Sequence, residues 1–151
     1  MESKFVVFRL GNERYGLPID QVERIVPAVQ ATKLPRAPKA LLGVFEIRGS
    51  TIPVMDARIR FNLPESSDCR NFVIVFTPQG RCALRVDDVV GIIELTEKDV
   101  DHHPSLSGSE DDPFVAGIGK QNDQLTVLLD PHHLVPNSLL SSKALQEQGS
   151  S

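Results

Sequence analysis

The four histidines of this chain come in adjacent pairs and three of its acidic residues form one run, a spacing that suits neither a metal site nor acid–base catalysis. The runs are His102-His103, His132-His133 and Glu110-Asp111-Asp112. Neighbouring side chains on a strand point to opposite faces, so adjacent histidines hold a single ion poorly. A tetrahedral site needs three or four converging ligands, and the acidic run lacks the alternating ligands and the glycine of a calcium loop. The sequence therefore predicts solvated loops here and no metal.

Nucleophile and phosphate-binding motifs are absent from the sequence as well. It contains neither a Walker pattern nor Gly-x-Gly-x-x-Gly, and no serine lies in a nucleophile elbow. Asp87 and Asp88 are consecutive, which separates their carboxylates on a strand, so we expect a turn or a surface contact there. Cys69 and Cys82 are too far apart for a redox pair and too few for zinc, so we expect free thiols. We predict no catalytic residue and no cofactor.

One charged residue occupies a position suited to binding. Two apolar runs, Val44–Ile47 and Ile52–Met55, flank Gly49 and Ser50, which we predict to form a tight hairpin turn because glycine tolerates positive φ. Arg48 comes immediately before this predicted turn. A guanidinium beside a hairpin tip is difficult to bury and easy to present. Two interpretations remain open on position alone: a solvated turn residue, or an arginine that docks a partner.

Length and charge narrow the function classes. The chain has 151 residues, 40% of them hydrophobic, which suits one domain with a real core. The formal net charge of −4 argues against nucleic-acid binding, which needs a basic surface. The N-terminal segment lacks the features of a signal peptide, and no apolar run is long enough to span a bilayer. We therefore expect a cytoplasmic protein without direct membrane insertion.

Short apolar segments separated by Gly and Pro turns predict an all-β barrel or sandwich with short helical turns. The clearest strand candidates are Phe5–Leu10, Tyr15–Ile19, Phe72–Phe76, Cys82–Val86, Phe114–Ile118 and Leu125–Leu129. Alternation also favours a half-exposed strand over Val29–Leu34. Residues 57–61 fit either a strand or one helical turn, and Asp130 is placed to cap a short C-terminal helix through Leu134. The loop at residues 63–68 is the best internal boundary.

The residues that carry a family resemblance run through both halves of the chain. They are Tyr15–Ile19 with Val22, Pro35–Gly43, Ile47–Gly49, Ile52–Arg58, Val86–Ile92, Ala116–Ile118 and Leu125–Asp130. In order and spacing they resemble the CheW-like chemotaxis coupling proteins, over roughly residues 5–135. The resemblance implies two small SH3-like β-barrels, approximately 15–64 and 70–130, packed in one domain of residues 1–136. The termini are able to cross between the lobes, and a polar tail covers 137–151.

The resemblance also implies a non-catalytic adaptor of two-component signalling. Such proteins bridge transmembrane chemoreceptors to a CheA-type histidine kinase: the receptor's helical hairpin tip docks between the lobes, and the kinase regulatory domain docks on the barrel ends. Arg48 matches the family's arginine beside the receptor groove. The alternative is a small β-barrel ligand sensor or enzyme with an unrecognised site.

The predicted receptor-binding residues combine two segments, and two of them depart from the family pattern. The residues are Val22, Glu23, Arg24, Ile25, Glu46, Arg48 and Gly49. The family commonly has Asn in place of Glu46 and an acidic residue in place of Arg24. Because charges at an interface rim set specificity and association rate, these departures predict an unusual choice of receptor.

Overall fold

The structure is a computed structural model that describes residues 2–102 and 114–134. Within these ranges the chain forms eleven strands, two short α-helices and two 3₁₀ turns, Ile19–Gln21 and Glu97–Asp99. The strands are β1 (Ser3–Leu10), β2 (Glu13–Pro18), β3 (Val22–Pro27), β4 (Leu41–Ile47), β5 (Ser50–Asp56), β6 (Asn71–Thr77), β7 (Gly80–Val86), β8 (Asp88–Leu95), β9 (Val100–Asp101), β10 (Val115–Gln121) and β11 (Gln124–Leu129). The helices are α1 (Ala57–Arg60) and α2 (Pro131–Leu134).

The strands form two sheets, which we call the five-stranded lobe and the six-stranded lobe. The order is β3-β6-β7-β5-β4 in the five-stranded lobe and β8-β1-β2-β11-β10-β9 in the six-stranded lobe. Neighbours pair antiparallel except β5 with β7 and β2 with β11, which pair in parallel. The mostly-β architecture confirms the fold class expected from the short apolar segments.

The chain divides between the sheets differently from the predicted split at residues 64–70. Residues 22–86 build the five-stranded lobe, whereas residues 3–18 and 88–129 build the six-stranded lobe. The loop at residues 63–68 therefore lies within one lobe, and the chain crosses between lobes at Ile19–Gln21 and at Asp87. The reason is the parallel pairing of Val54 with Ala83, which brings the β6–β7 hairpin back to β5. Loop composition does not encode such a long-range pairing.

Local predictions are confirmed where a side chain sets the backbone and are wrong where only alternation supported them. Asp56 caps α1 by accepting the N–H of Ile59 at 3.1 Å, so residues 57–60 form a helical turn rather than a strand. Asp130 likewise accepts the N–H of His132 at 3.0 Å at the start of α2. The strand expected over Val29–Leu34 is reduced to one bridge, Thr32 to Val44, because the nearby prolines favour irregular extended chain.

Two apolar cores hold the molecule together. The core between the sheets contains Phe8, Leu10 and Leu17 of the six-stranded lobe and Val73, Val75 and Leu84 of the five-stranded lobe. The second core lies within the five-stranded lobe and includes Phe45, Ile52, Phe72 and Ile74. Successive β6 residues point to opposite faces and both faces are covered, which explains the uninterrupted apolar run from Phe72 to Val75.

A row of aromatic rings crosses the junction of the lobes. Ring centroids are 5.6 Å apart for Phe8 and Tyr15, 5.0 Å for Tyr15 and Phe61, and 4.9 Å for Phe61 and Phe114. The Arg60 guanidinium lies 4.6 Å from the Phe114 ring centroid. Its Nε donates to the Leu134 carbonyl at 2.8 Å, which ties α2 to α1. The two helices thus connect the lobes. Among the residues described, no helix is long and apolar enough to cross a membrane.

Candidate docking surface

The tip of the β4–β5 hairpin is built by Arg48 and Gly49 rather than by Gly49 and Ser50. Ile47 pairs with Ser50, so the two residues between them form the turn. Their φ angles are +50° and +82°, as a type I′ turn requires. Arg48 is therefore at the tip itself and not before it. Its side chain is exposed, and its guanidinium makes no ion pair or hydrogen bond within the part of the chain that the structure describes.

The predicted segment of β3 contains a β-bulge at Glu23. Val22 pairs with Val75 and Arg24 with Ile74, so Glu23 is the extra residue. Both oxygens of its carboxylate accept from Arg81 Nη1 on β7, at 2.9 and 3.1 Å. Glu23 is thus neutralised by an arginine that sequence reasoning missed, and no local signal could have found a partner 58 positions away.

The rest of this β3 segment presents apolar surface and one free cation. Ile25 is 41% exposed although it is a large aliphatic residue. Val22 is half-buried and packs against the core between the sheets. Arg24 is half-buried and has no charged or hydrogen-bonding partner in residues 2–102 or 114–134. The bulge therefore leaves a positive charge beside an apolar strip.

The structure places the predicted residues in one sheet but as two separate patches. The β3 patch and the hairpin patch lie at opposite ends of the strand order, with β6, β7 and β5 between them. The bridge from Thr32, beyond β3, to Val44 of β4 joins the two ends of this order, so the order alone sets no distance between the patches. Glu46, opposite Thr51 on the hairpin, is exposed. A partner that contacts both patches must therefore reach β3 and the β4–β5 tip at once.

Sequence reasoning missed an apolar strip on β8. Val90 and Ile92 are 48% and 59% exposed, and Ile19 in the first 3₁₀ turn is also exposed. That turn contacts β1 and β6, whose outer neighbours are β8 and β3 respectively. Exposed apolar side chains from both lobes thus flank the crossing at Ile19–Gln21. The available signal was the sequence Val-Val-Gly-Ile-Ile, which is too apolar for a strand with one solvated face.

Asp87 lies between the lobes rather than in a surface turn as expected. Its carboxylate accepts from Arg58 Nε at 2.8 Å, forms a second contact with Arg58 Nη2, and accepts the Gly11 N–H at 2.8 Å. The Arg58 hydrogen bonds lower the pKa of Asp87 and outweigh the effect of burial. The same hydrogen bonds raise the pKa of Arg58. The two groups form a fixed ion pair.

The thiols are poor nucleophiles at neutral pH. Burial raises the pKa of Cys69 to about 11 and that of Cys82 to about 12, and reactivity follows the thiolate. In the described ranges no three His, Cys, Asp or Glu residues converge to hold a metal ion. His103 and the acidic run 110–112 lie outside those ranges.

A family model decides the assignment. The CheW-like domain matches residues 4–138. The chain belongs to the CheW-like domain family. The chemotaxis protein CheW of Helicobacter pylori is 32% identical over 129 residues, covering 83% of this chain and 77% of that protein. The CheW protein of Treponema pallidum is 29% identical over 152 residues, covering 97% and 86%.

The fold is similar to that of a solved family member. The crystal structure of the scaffolding protein TtCheW from Thermoanaerobacter tengcongensis superposes with a TM-score of 0.78 at 33% identity, covering 89% of this chain and 92% of that one. Family membership identifies the chain as a non-catalytic chemotaxis adaptor that couples chemoreceptors to the kinase CheA. It favours the adaptor over the alternative of a ligand sensor or enzyme.

Proposed function

We propose that this adaptor works in the cytoplasm and binds the helical hairpin tip of a chemoreceptor where the two lobes meet. The observation that carries the proposal is the set of exposed apolar side chains around the lobe crossing, together with Arg48 at the hairpin tip, which has no partner among the described residues. The kinase regulatory domain would bind at the ends of the lobes, leaving this surface to the receptor.

The strand order supports the view that each lobe is a small SH3-like barrel. Thr32, which follows β3, pairs with Val44 of β4 at the other end of the five-stranded order. In the six-stranded lobe the end strands β8 and β9 are consecutive in the chain and are joined by the 3₁₀ turn Glu97–Asp99. Each order therefore begins and ends on neighbouring stretches of chain, as closure requires. Two barrels in contact leave a groove between their convex surfaces.

Apolar contact would supply most of the binding free energy. Ile25 of β3 and Ile92 of β8 expose aliphatic surface from different lobes, and an amphipathic helix docks by covering such surface. Burying apolar area is worth about 25 cal/mol per Å² before association costs are subtracted. Individual contacts would be weak, and clustered receptors would strengthen them through avidity.

A helical hairpin has two helices, which can contact the β3 patch and the hairpin patch separately. One helix would lie along β3 while the other reaches the β4–β5 tip. There Arg48 would donate to a receptor carboxylate or carbonyl through its planar fork. Arg24 would favour an acidic receptor residue at a position where the family commonly presents an acid.

Backbone amide NMR of the labelled protein, titrated with a purified chemoreceptor hairpin fragment, tests this placement. We expect shifts to concentrate in β3, in β8 and at Arg48–Gly49. Ile92→Ser should weaken binding about fivefold while the fold is retained, because the lost side chain is mostly exposed. Leu125→Ser is the matched control, since Leu125 is 61% exposed but lies on β11. Shifts concentrated in the open cleft near the other end of β5, lined by Val29, Lys33 and Arg85, would refute the proposed surface.

A further inference from the structure

Asp87 is bonded to both lobes through its side chain and its main chain. It is the single residue between β7, the last strand of the five-stranded lobe, and β8, the first later strand of the six-stranded lobe. Its N–H donates to the Arg9 carbonyl of β1 at 3.2 Å, and its carbonyl accepts from the N–H of Arg70, next to β6, at 3.0 Å. The residue is therefore anchored to each sheet at the crossing point.

The side-chain bonds of Asp87 repeat this double attachment. Arg58 comes from α1, directly after β5 of the five-stranded lobe, and Gly11 comes from the β1–β2 turn of the six-stranded lobe. The Cys69 thiol adds a contact to Oδ1 at 3.5 Å. Arg58 is held from its other side, since its Nη1 donates to the Pro64 carbonyl at 2.9 Å. One carboxylate thus joins a rigid guanidinium of one lobe to a backbone amide of the other.

The apolar core between the sheets cannot supply this directional constraint. Hydrophobic burial is nondirectional and depends mainly on the area removed from water, so it constrains the relative orientation of the sheets less sharply than bonds that depend on angle. Hydrogen bonds to a carboxylate depend steeply on distance and angle. The side chains of Arg58 and Asp87 are only 14% and 18% exposed, so water competes weakly for these bonds.

We infer that the Arg58–Asp87 pair sets the angle between the two lobes and thereby positions the surface that spans them. Both residues are positioning residues, because neither lies on the proposed receptor surface. The first half of the inference concerns the chain alone. The second half, a consequence for receptor affinity, rests on the proposed function.

Residual dipolar couplings measured on the labelled full chain test the first half, with the alignment frame of each lobe fitted separately. In the wild type we expect one common frame. In Asp87→Asn we expect each lobe to keep its internal couplings while the two frames rotate apart or acquire unequal magnitudes. Asp88→Asn is the matched control: it makes the same change one residue away, in an exposed pair with Arg9, and should keep the common frame. A common frame in Asp87→Asn would overturn the inference.

A conservative variant keeps the test decisive if Asp87→Asn does not fold. Arg58→Lys retains the charge but loses the bidentate fork, so it should show the same separation of frames with a smaller loss of stability. A common frame in a folded Arg58→Lys would also count against the inference.

Affinity for the receptor hairpin fragment tests the second half. We expect Asp87→Asn to bind roughly tenfold more weakly, within the usual range for coupling between sites. If Asp87→Asn shows rotated frames but unchanged affinity, the pair sets the lobe angle and docking across both lobes is refuted. If it shows weaker binding with a common frame, the pair does not set the lobe angle.

Discussion

Arg58 and Arg48 lie just beyond opposite ends of the same strand, β5, and they differ in exposure and in hydrogen bonding. Arg58 is largely buried, bonded to Asp87 and to the Pro64 carbonyl. Arg48 is exposed at a hairpin tip, and no residue in the described ranges pairs with it. A guanidinium whose three nitrogens all donate hydrogen bonds within the fold contributes to stability. One whose donors are held out to solvent costs the fold little and remains available to a partner.

The largest effect we expect is the loss of the junction pair. Arg58→Ala would leave the Asp87 carboxylate partly buried without its counter-ion, and breaking such a pair typically costs 3–5 kcal/mol in a fully buried site. Because this site is slightly exposed, we expect the free energy of unfolding to fall by about 3 kcal/mol. Urea denaturation measures it. A loss below about 0.5 kcal/mol, as for an ordinary surface residue, would mean that Arg58 contributes no more to stability than an exposed arginine does.

The second effect we expect is a dependence of stability on pH, caused by Asp87 at the junction of the lobes. The pKa of Asp87 is lower in the folded protein than in the unfolded chain, so its contribution to stability is complete above the unfolded pKa. The contribution is lost as the pH falls below about 4 and the carboxylate is protonated. We expect stability to fall less steeply with acidification in Asp87→Asn than in the wild type. Parallel curves of unfolding free energy against pH would show that the pair is not electrostatically coupled to folding.

An intermediate case sharpens the comparison. Glu23 and Arg81 pair at the bulge of β3, but their side chains are 21% and 34% exposed, and such pairs contribute little. We expect Glu23→Gln to lower stability by about 0.5 kcal/mol, well below the effect at Arg58. The thermal melt of this variant measures the difference, and an effect as large as that of Arg58→Ala would mean that exposure is not what separates these sites.

Sequence reasoning succeeded where the determining residues are close together in the chain. The apolar run at Phe72–Phe76 predicted β6, and Asp130 predicted the start of α2. Sequence reasoning failed where the determining residues are far apart in the chain. The lobe boundary depends on the parallel pairing of β5 with β7, and the pairs Arg58–Asp87 and Arg81–Glu23 join residues 29 and 58 positions apart. Charges on a sequence do not show which opposite charge will be folded beside them.

Two features of the candidate surface were not anticipated from the sequence. Ordinary turn preferences placed the hairpin turn one residue late, because arginine is an uncommon residue for a position with positive φ. The β8 residues Val90 and Ile92 lie in an apolar run, but the run alone did not predict an exposed surface, since exposure depends on which neighbours cover a strand. The resemblance implied the partners, whereas the structure shows which of these side chains are exposed.

The central claim is that Arg48 serves binding and not the fold, and a matched pair of variants tests it directly. Arg36 is also an exposed arginine at positive φ, +58° against +50° for Arg48, but it lies in the connector before β4. Calorimetric titration of Arg48→Glu with a receptor hairpin fragment should show affinity lowered about tenfold or more, with a thermal melt close to that of the wild type, whereas Arg36→Glu should bind normally. Equal binding by both variants, or a large drop in the melting temperature of Arg48→Glu, would contradict the account.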